Sequence, residues 1–94
     1  MIYLVRVSAP VIKFDCEKLQ PGYVKKFDAH FEGWTLRKEK KIAAAKAALL
    51  AANPGKTAAQ LDAAIVQSAK QTFAQSSAEE KSGVCSDFYK EISQ

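Results

Sequence analysis

Histidine occurs once in this sequence, at His30, and cysteine twice, at Cys16 and Cys85, with no Cys-x-x-Cys pair. Structural zinc sites draw on about four Cys or His ligands at characteristic spacings, so no metal site is assigned, and no cofactor is expected. There is no glycine-rich phosphate loop, no nucleophile elbow and no His-Glu-x-x-His helix. The enzyme classes built on those motifs drop out, and the chain is read as non-catalytic. No run approaches the roughly 20 apolar residues of a membrane span. The opening Met1-Ile2-Tyr3-Leu4-Val5-Arg6 is too short and wrongly arranged for a signal peptide. With Met1 as the natural start, the expected compartment is the cytoplasm, with two thiols. Had a signal peptide preceded it, the expectation becomes the periplasm or the exterior, with a disulfide.

Ninety-four residues make one domain, residues 1–94, long enough for a single modest core. Much of the apolar content is alanine, which buries little area, so the expected anchors are the few large groups: Tyr3, Leu4, Val5, Phe14, Tyr23, Phe27, Phe31, Trp34, Ile42, Leu49, Leu50, Leu61, Ile65, Phe73, Val84, Phe88, Tyr89 and Ile92. The net charge of +4 is uneven. Residues 1–56 hold eleven Lys or Arg against five Asp or Glu; residues 57–94 hold three against five. A basic half beside a slightly acidic one can steer the protein towards an acidic surface or nucleic acid, or can simply be a solvated face.

Residues 2–7 and 11–14 are mostly β-branched, aliphatic or aromatic and are separated by Ser8-Ala9-Pro10, which reads as two short strands or one bent strand. Gln20-Pro21-Gly22 is a break. Residues 26–32 then alternate polar and apolar, the pattern of a half-buried strand, while Tyr23, Phe27, Phe31 and Trp34 also recur at roughly helical spacing. The alternation is preferred, with Gly33 ending the strand. Residues 1–34 are thus a strand and irregular region, and residues 35–94 a helical one.

Thr35 is expected to cap a helix running to Asn53-Pro54-Gly55, a stop signal. Thr57-Ala58-Ala59-Gln60 and Ser77-Ala78-Glu79-Glu80 each have the capping-box pattern and open two further helices. The first of these carries a stripe of Leu61, Ile65, Ala69 and Phe73; the second, a face of Val84, Cys85, Phe88, Tyr89 and Ile92. Short connections imply antiparallel neighbours. The expected fold is α+β: short N-terminal β-strands followed by a three-helix antiparallel bundle.

The candidate functional segment is the basic run around Arg37, Lys38, Lys40, Lys41 and Lys46, with Trp34 beside it. Cations in the first turns of a helix oppose its dipole, a local cost that a bound acidic partner would offset. Trp and Arg are enriched at interface hot spots. The segment therefore reads as the docking face of a small protein-binding module, an inhibitor, immunity-type or adaptor protein, for an acidic protein partner. The alternative is a nucleic-acid contact, with lysines on phosphates and aromatic residues stacked on bases.

His30, flanked by Asp28 and Glu32, would share a strand face with both, and a Cys16–His30 nucleophile pair can be drawn. Neither has a surrounding catalytic pattern, and a solvated histidine is the simpler reading. Cys16 and Cys85 are candidates for a disulfide tying the first segment to the last helix. The alanine-rich faces allow close helix approach, within the chain or in a homodimer.

Overall fold

Ile2, Val5, Ala9, Ile12, Cys16 and Leu19 recur at intervals of three and four. That period places them on one face of a helix. In the computed structural model, which describes residues 2–94, they belong to α1 (Ile2–Leu19). Met1, on which the reading of the compartment turned, lies outside the described residues. Four more helices follow: α2 (Tyr23–Arg37), α3 (Glu39–Ala52), α4 (Ala58–Gln75) and α5 (Ala78–Ile92). Among the described residues there is no strand, and the α+β expectation is overturned.

The cause of the first error is Pro10. It removes one helical N–H and crowds the preceding turn, at a cost of about 3 kcal/mol in a helix interior, and so reads as a break between strands. Here it sits inside α1, which continues through it because Ala9, Ile12 and Cys16 are buried on the face that meets the other helices. The Ser8 hydroxyl donates to the Leu4 carbonyl in the same region. The second error concerns residues 26–32. Tyr23, Phe27, Phe31 and Trp34 stack in series along α2, with centroid separations of 6.2, 4.8 and 5.7 Å. Burying Tyr23, Phe27 and Trp34 on one stripe, with Phe31 half-buried beside them, outweighs a run of polar and apolar alternation. Consequently Thr35 is not a cap: it lies within α2 and its hydroxyl donates to the Phe31 carbonyl.

The helix boundaries have local causes. Gly22 takes φ +92° between α1 and α2, a conformation that suits glycine. Glu17 reaches across this turn, and its carboxylate accepts the N–H groups of Gly22 and Val24 at 2.7 and 3.0 Å. It thereby supplies the negative charge that the N-terminus of α2 favours, and these bonds hold its carboxyl below the usual range. Lys38 separates α2 from α3. After α3, Gly55 adopts φ +88°. Both expected capping boxes are formed, Thr57 with Gln60 and Ser77 with Glu80.

Helix α1 is central and touches all four others. The core joins Ala9, Ile12 and Cys16 of α1, Tyr23, Phe27 and Trp34 of α2, Phe73 of α4, and Cys85 and Ile92 of α5. The Sγ atoms of Cys16 and Cys85 lie at bonding distance, 2.11 Å, with their Cα atoms 5.8 Å apart, inside the range a disulfide requires. Beside this link the Tyr23 hydroxyl donates to the Cys85 carbonyl at 2.7 Å. Helix α4 leans on α1 and barely meets α3 or α5. The chain is flat, 40 × 30 × 16 Å. Its 5992 Å² of accessible surface exceeds the ~5,400 Å² typical of a monomer of this mass.

Candidate functional site

The residues singled out in the sequence do not form one surface. Trp34 is completely buried, 0% exposed, so no partner reaches it. Burial satisfies its ring but leaves its indole Nε1 without a hydrogen-bond partner. Arg37 is held by the end of α5: its Nη2 donates to the Gln94 carbonyl at 2.6 Å and approaches that of Ile92 at 3.5 Å. A guanidinium at a helix C-terminus complements the dipole there, so Arg37 joins α2 to α5.

The lysines are placed differently. Lys40, Lys41 and Lys46 are exposed on α3, and Lys38 is half-exposed in the turn before it. Among the described residues none of the four has a carboxylate within 4 Å; the ion pairs are Lys13–Asp28 and Lys18–Asp15. Helix α3 is also the one helix of the five with no buried side chain. Its alanines at 43, 44, 47, 48, 51 and 52 all face solvent. Its order therefore rests on the high helix propensity of Ala and Lys and on half-buried Ile42, Leu49 and Leu50.

Leu36 is 67% exposed at the end of α2, directly before this basic helix. The sequence reading passed over it. The signal was available, because two residues along a helix is a rotation of about 200°. If Trp34 faces the core, Leu36 must face away.

His30 lies on α2, so Asp28 and Glu32 do not share its face. Its ring meets Tyr89 edge-on at 5.5 Å, and Asp28 is paired with Lys13 at 2.7 Å. Cys16 is bonded to Cys85, which removes the Cys16–His30 pair. Among the described residues no three His, Cys, Asp or Glu side chains converge where they could hold a metal ion.

A second feature lies along α4. Because α4 stands off α3 and α5, an apolar groove of about 470 Å³ opens between them over α1. The α4 stripe of Leu61, Ile65, Ala69 and Phe73 lines its length, with Leu49 of α3, Ile12 of α1 and Val84 and Phe88 of α5 completing the walls. No charged side chain is among the lining residues. The stripe was legible as apolar, but its facing a groove depends on how far α4 stands from its neighbours.

Compared with family models, characterised proteins and solved structures, the chain matches none.

Proposed function

We propose that the protein is a non-catalytic protein-binding module that engages an acidic protein partner through α3 and the turn before it. The observation that carries this reading is the group of unpaired cations, Lys38, Lys40, Lys41 and Lys46, on and beside a helix that buries none of its own side chains. Exposed lysines are well hydrated and need no partner for stability, but complementary charge on a partner accelerates association and fixes register. Leu36, exposed near the end of α2 two residues before Lys38, supplies an apolar contact in the role the sequence assigned to Trp34. The alanines of α3 permit the close approach of a partner helix or of a second copy, which keeps homodimerisation within the same reading.

The compartment belongs to the proposal. A disulfide between Cys16 and Cys85 persists in oxidising surroundings, and the periplasm or the exterior is the setting that keeps it. Such a setting favours a protein partner over nucleic acid.

The test is affinity capture from the native extract, run in parallel with a variant carrying Lys38→Glu, Lys40→Glu, Lys41→Glu and Lys46→Glu. Both are repeated after nuclease treatment and at raised salt. A defined protein retained through nuclease treatment by the parent chain and lost by the variant, with circular dichroism unchanged, is the expected result. Equal capture by the variant refutes the α3 surface. Recovery of nucleic acid, with any protein lost on nuclease treatment, replaces the reading with nucleic-acid binding.

A further inference from the structure

We propose that the groove between α4, α1 and α5 binds a long-chain fatty acid, its tail lying along α4 and its carboxylate at Lys81. This site uses none of the α3 lysines and stands or falls separately from the protein-binding surface. The volume of about 470 Å³ falls within the range of small-ligand sites, which are apolar with a few polar groups that fix orientation.

The groove is long enough for a single hydrocarbon chain. From Leu61 to Ser76 the α4 lining rises through about 22 Å, at 1.5 Å per residue. Along that length Leu61, Ile65 and Phe73 of α4 and Val84 and Phe88 of α5 offer an alkyl chain apolar contact, interrupted by the Asn53 amide and a few hydroxyls.

Charge selects the head group and its direction. At one end, Lys81 Nζ stands 5.6 Å from the centroid of the Phe73 ring, and Phe73 lines the groove. Among the described residues Lys81 has no carboxylate within 4 Å. Glu80, its neighbour, is engaged instead with the Ser77 N–H at 2.8 Å. Thr72 and Ser76 line the same end; the Ser76 hydroxyl donates to the Thr72 carbonyl at 2.7 Å, which leaves the Thr72 hydroxyl to donate to a bound carboxylate. At the other end Asp62, next to lining residue Leu61, accepts the Tyr3 hydroxyl. Opposite charges at the two ends orient an anionic amphiphile one way: carboxylate to Lys81, tail towards Leu61.

The probe is hexadecanoate, titrated calorimetrically into the oxidised protein below the concentration at which it self-associates, with hexadecan-1-ol as the neutral control. The expected result is one molecule bound per chain, with the alcohol at least tenfold weaker. Lys81→Gln weakens hexadecanoate about three- to tenfold and leaves the alcohol unchanged. Ala64→Phe, at an exposed alanine of the lining, abolishes binding of both while circular dichroism stays that of the parent.

No binding of hexadecanoate overturns the proposal, as does binding that Ala64→Phe leaves intact. Equal affinity for acid and alcohol, indifferent to Lys81→Gln, overturns the head-group assignment. Sedimentation of the same samples completes the test. A dimer that Ala64→Phe dissociates and hexadecanoate does not would make the groove an interface between copies, and that too overturns it.

Discussion

Replacing both Cys16 and Cys85 by alanine should remove a large share of the stability of this fold. The two residues are 69 positions apart. In the chain-entropy treatment, opening a loop of that length costs about 4 kcal/mol. A domain of this size has a total of roughly 5–14 kcal/mol to lose. Each kcal/mol moves the midpoint of a domain of 60–100 residues by about 4–8 °C, so the expected fall is about 15–30 °C. The effect is large because the closed loop is long; the bond joins the central helix to the last one, where Tyr23 also donates to the Cys85 carbonyl. The assay is thermal unfolding followed by far-UV circular dichroism and by Trp34 fluorescence, for the parent with and without reductant and for the alanine pair. Coincidence of the two probes justifies two-state treatment. A fall of less than about 5 °C in both the reduced parent and the variant would refute the reasoning. It would mean that packing of Ile12, Phe27 and Ile92 holds α1 and α5 together without the covalent link.

Trp34→Ala should cost about 3–5 kcal/mol, the range for emptying a large aromatic site, measured by chemical denaturation; a change below 1 kcal/mol would contradict its complete burial. Arg37→Gln should cost about 1 kcal/mol and raise hydrogen exchange at the end of α5, because that side chain joins α2 to the Ile92 and Gln94 carbonyls; unchanged exchange there would show that the contact is idle in solution. Stability should fall at both extremes of pH. Glu17 and Glu80 have carboxyls held below their usual 4.5 by N–H donors, so their contribution is present above pH 4.5 and is lost as pH falls through the lowered values. Tyr3 and Tyr23 are raised from 10 to about 12, chiefly by burial and, for Tyr3, by its bond to Asp62 as well; their contribution is complete below pH 10 and is lost as pH rises through 12. Denaturant midpoints across pH 3–12 check both limbs, and a flat profile refutes both. Reversing Lys38, Lys40, Lys41 and Lys46 should leave the thermal midpoint within about 3 °C, since exposed charges contribute little to stability; a larger fall would show that α3 needs them to fold.

The sequence by itself determined the features whose causes are local. The capping boxes at Thr57 and Ser77 were legible because hydroxyl, backbone N–H and the Gln60 or Glu80 side chain lie within four residues of one another. The stop at Asn53-Pro54-Gly55 was legible for the same reason, and so were the apolar stripes of α4 and α5. The uneven charge is a property of composition and needed no fold to be seen. Where two periodicities competed, in residues 26–32, only tertiary structure decided. Tyr23, Phe27 and Trp34 could be buried together on α2, with Phe31 packed against them, because α1 and α5 offered a surface to receive them. Pro10 misled for a related reason: its local cost was readable, while the burial of Ala9, Ile12 and Cys16 that offsets it lies in contacts with distant segments. The pairing of Cys16 with Cys85, the withdrawal of Trp34 from the surface and the use of Arg37 at the end of α5 all join residues more than 50 positions apart, or depend on such joins. The groove is the extreme case. Its walls were visible as apolar stripes, but its existence depends on α4 leaning on α1 while standing clear of α3 and α5, a spacing between helices that no single segment encodes.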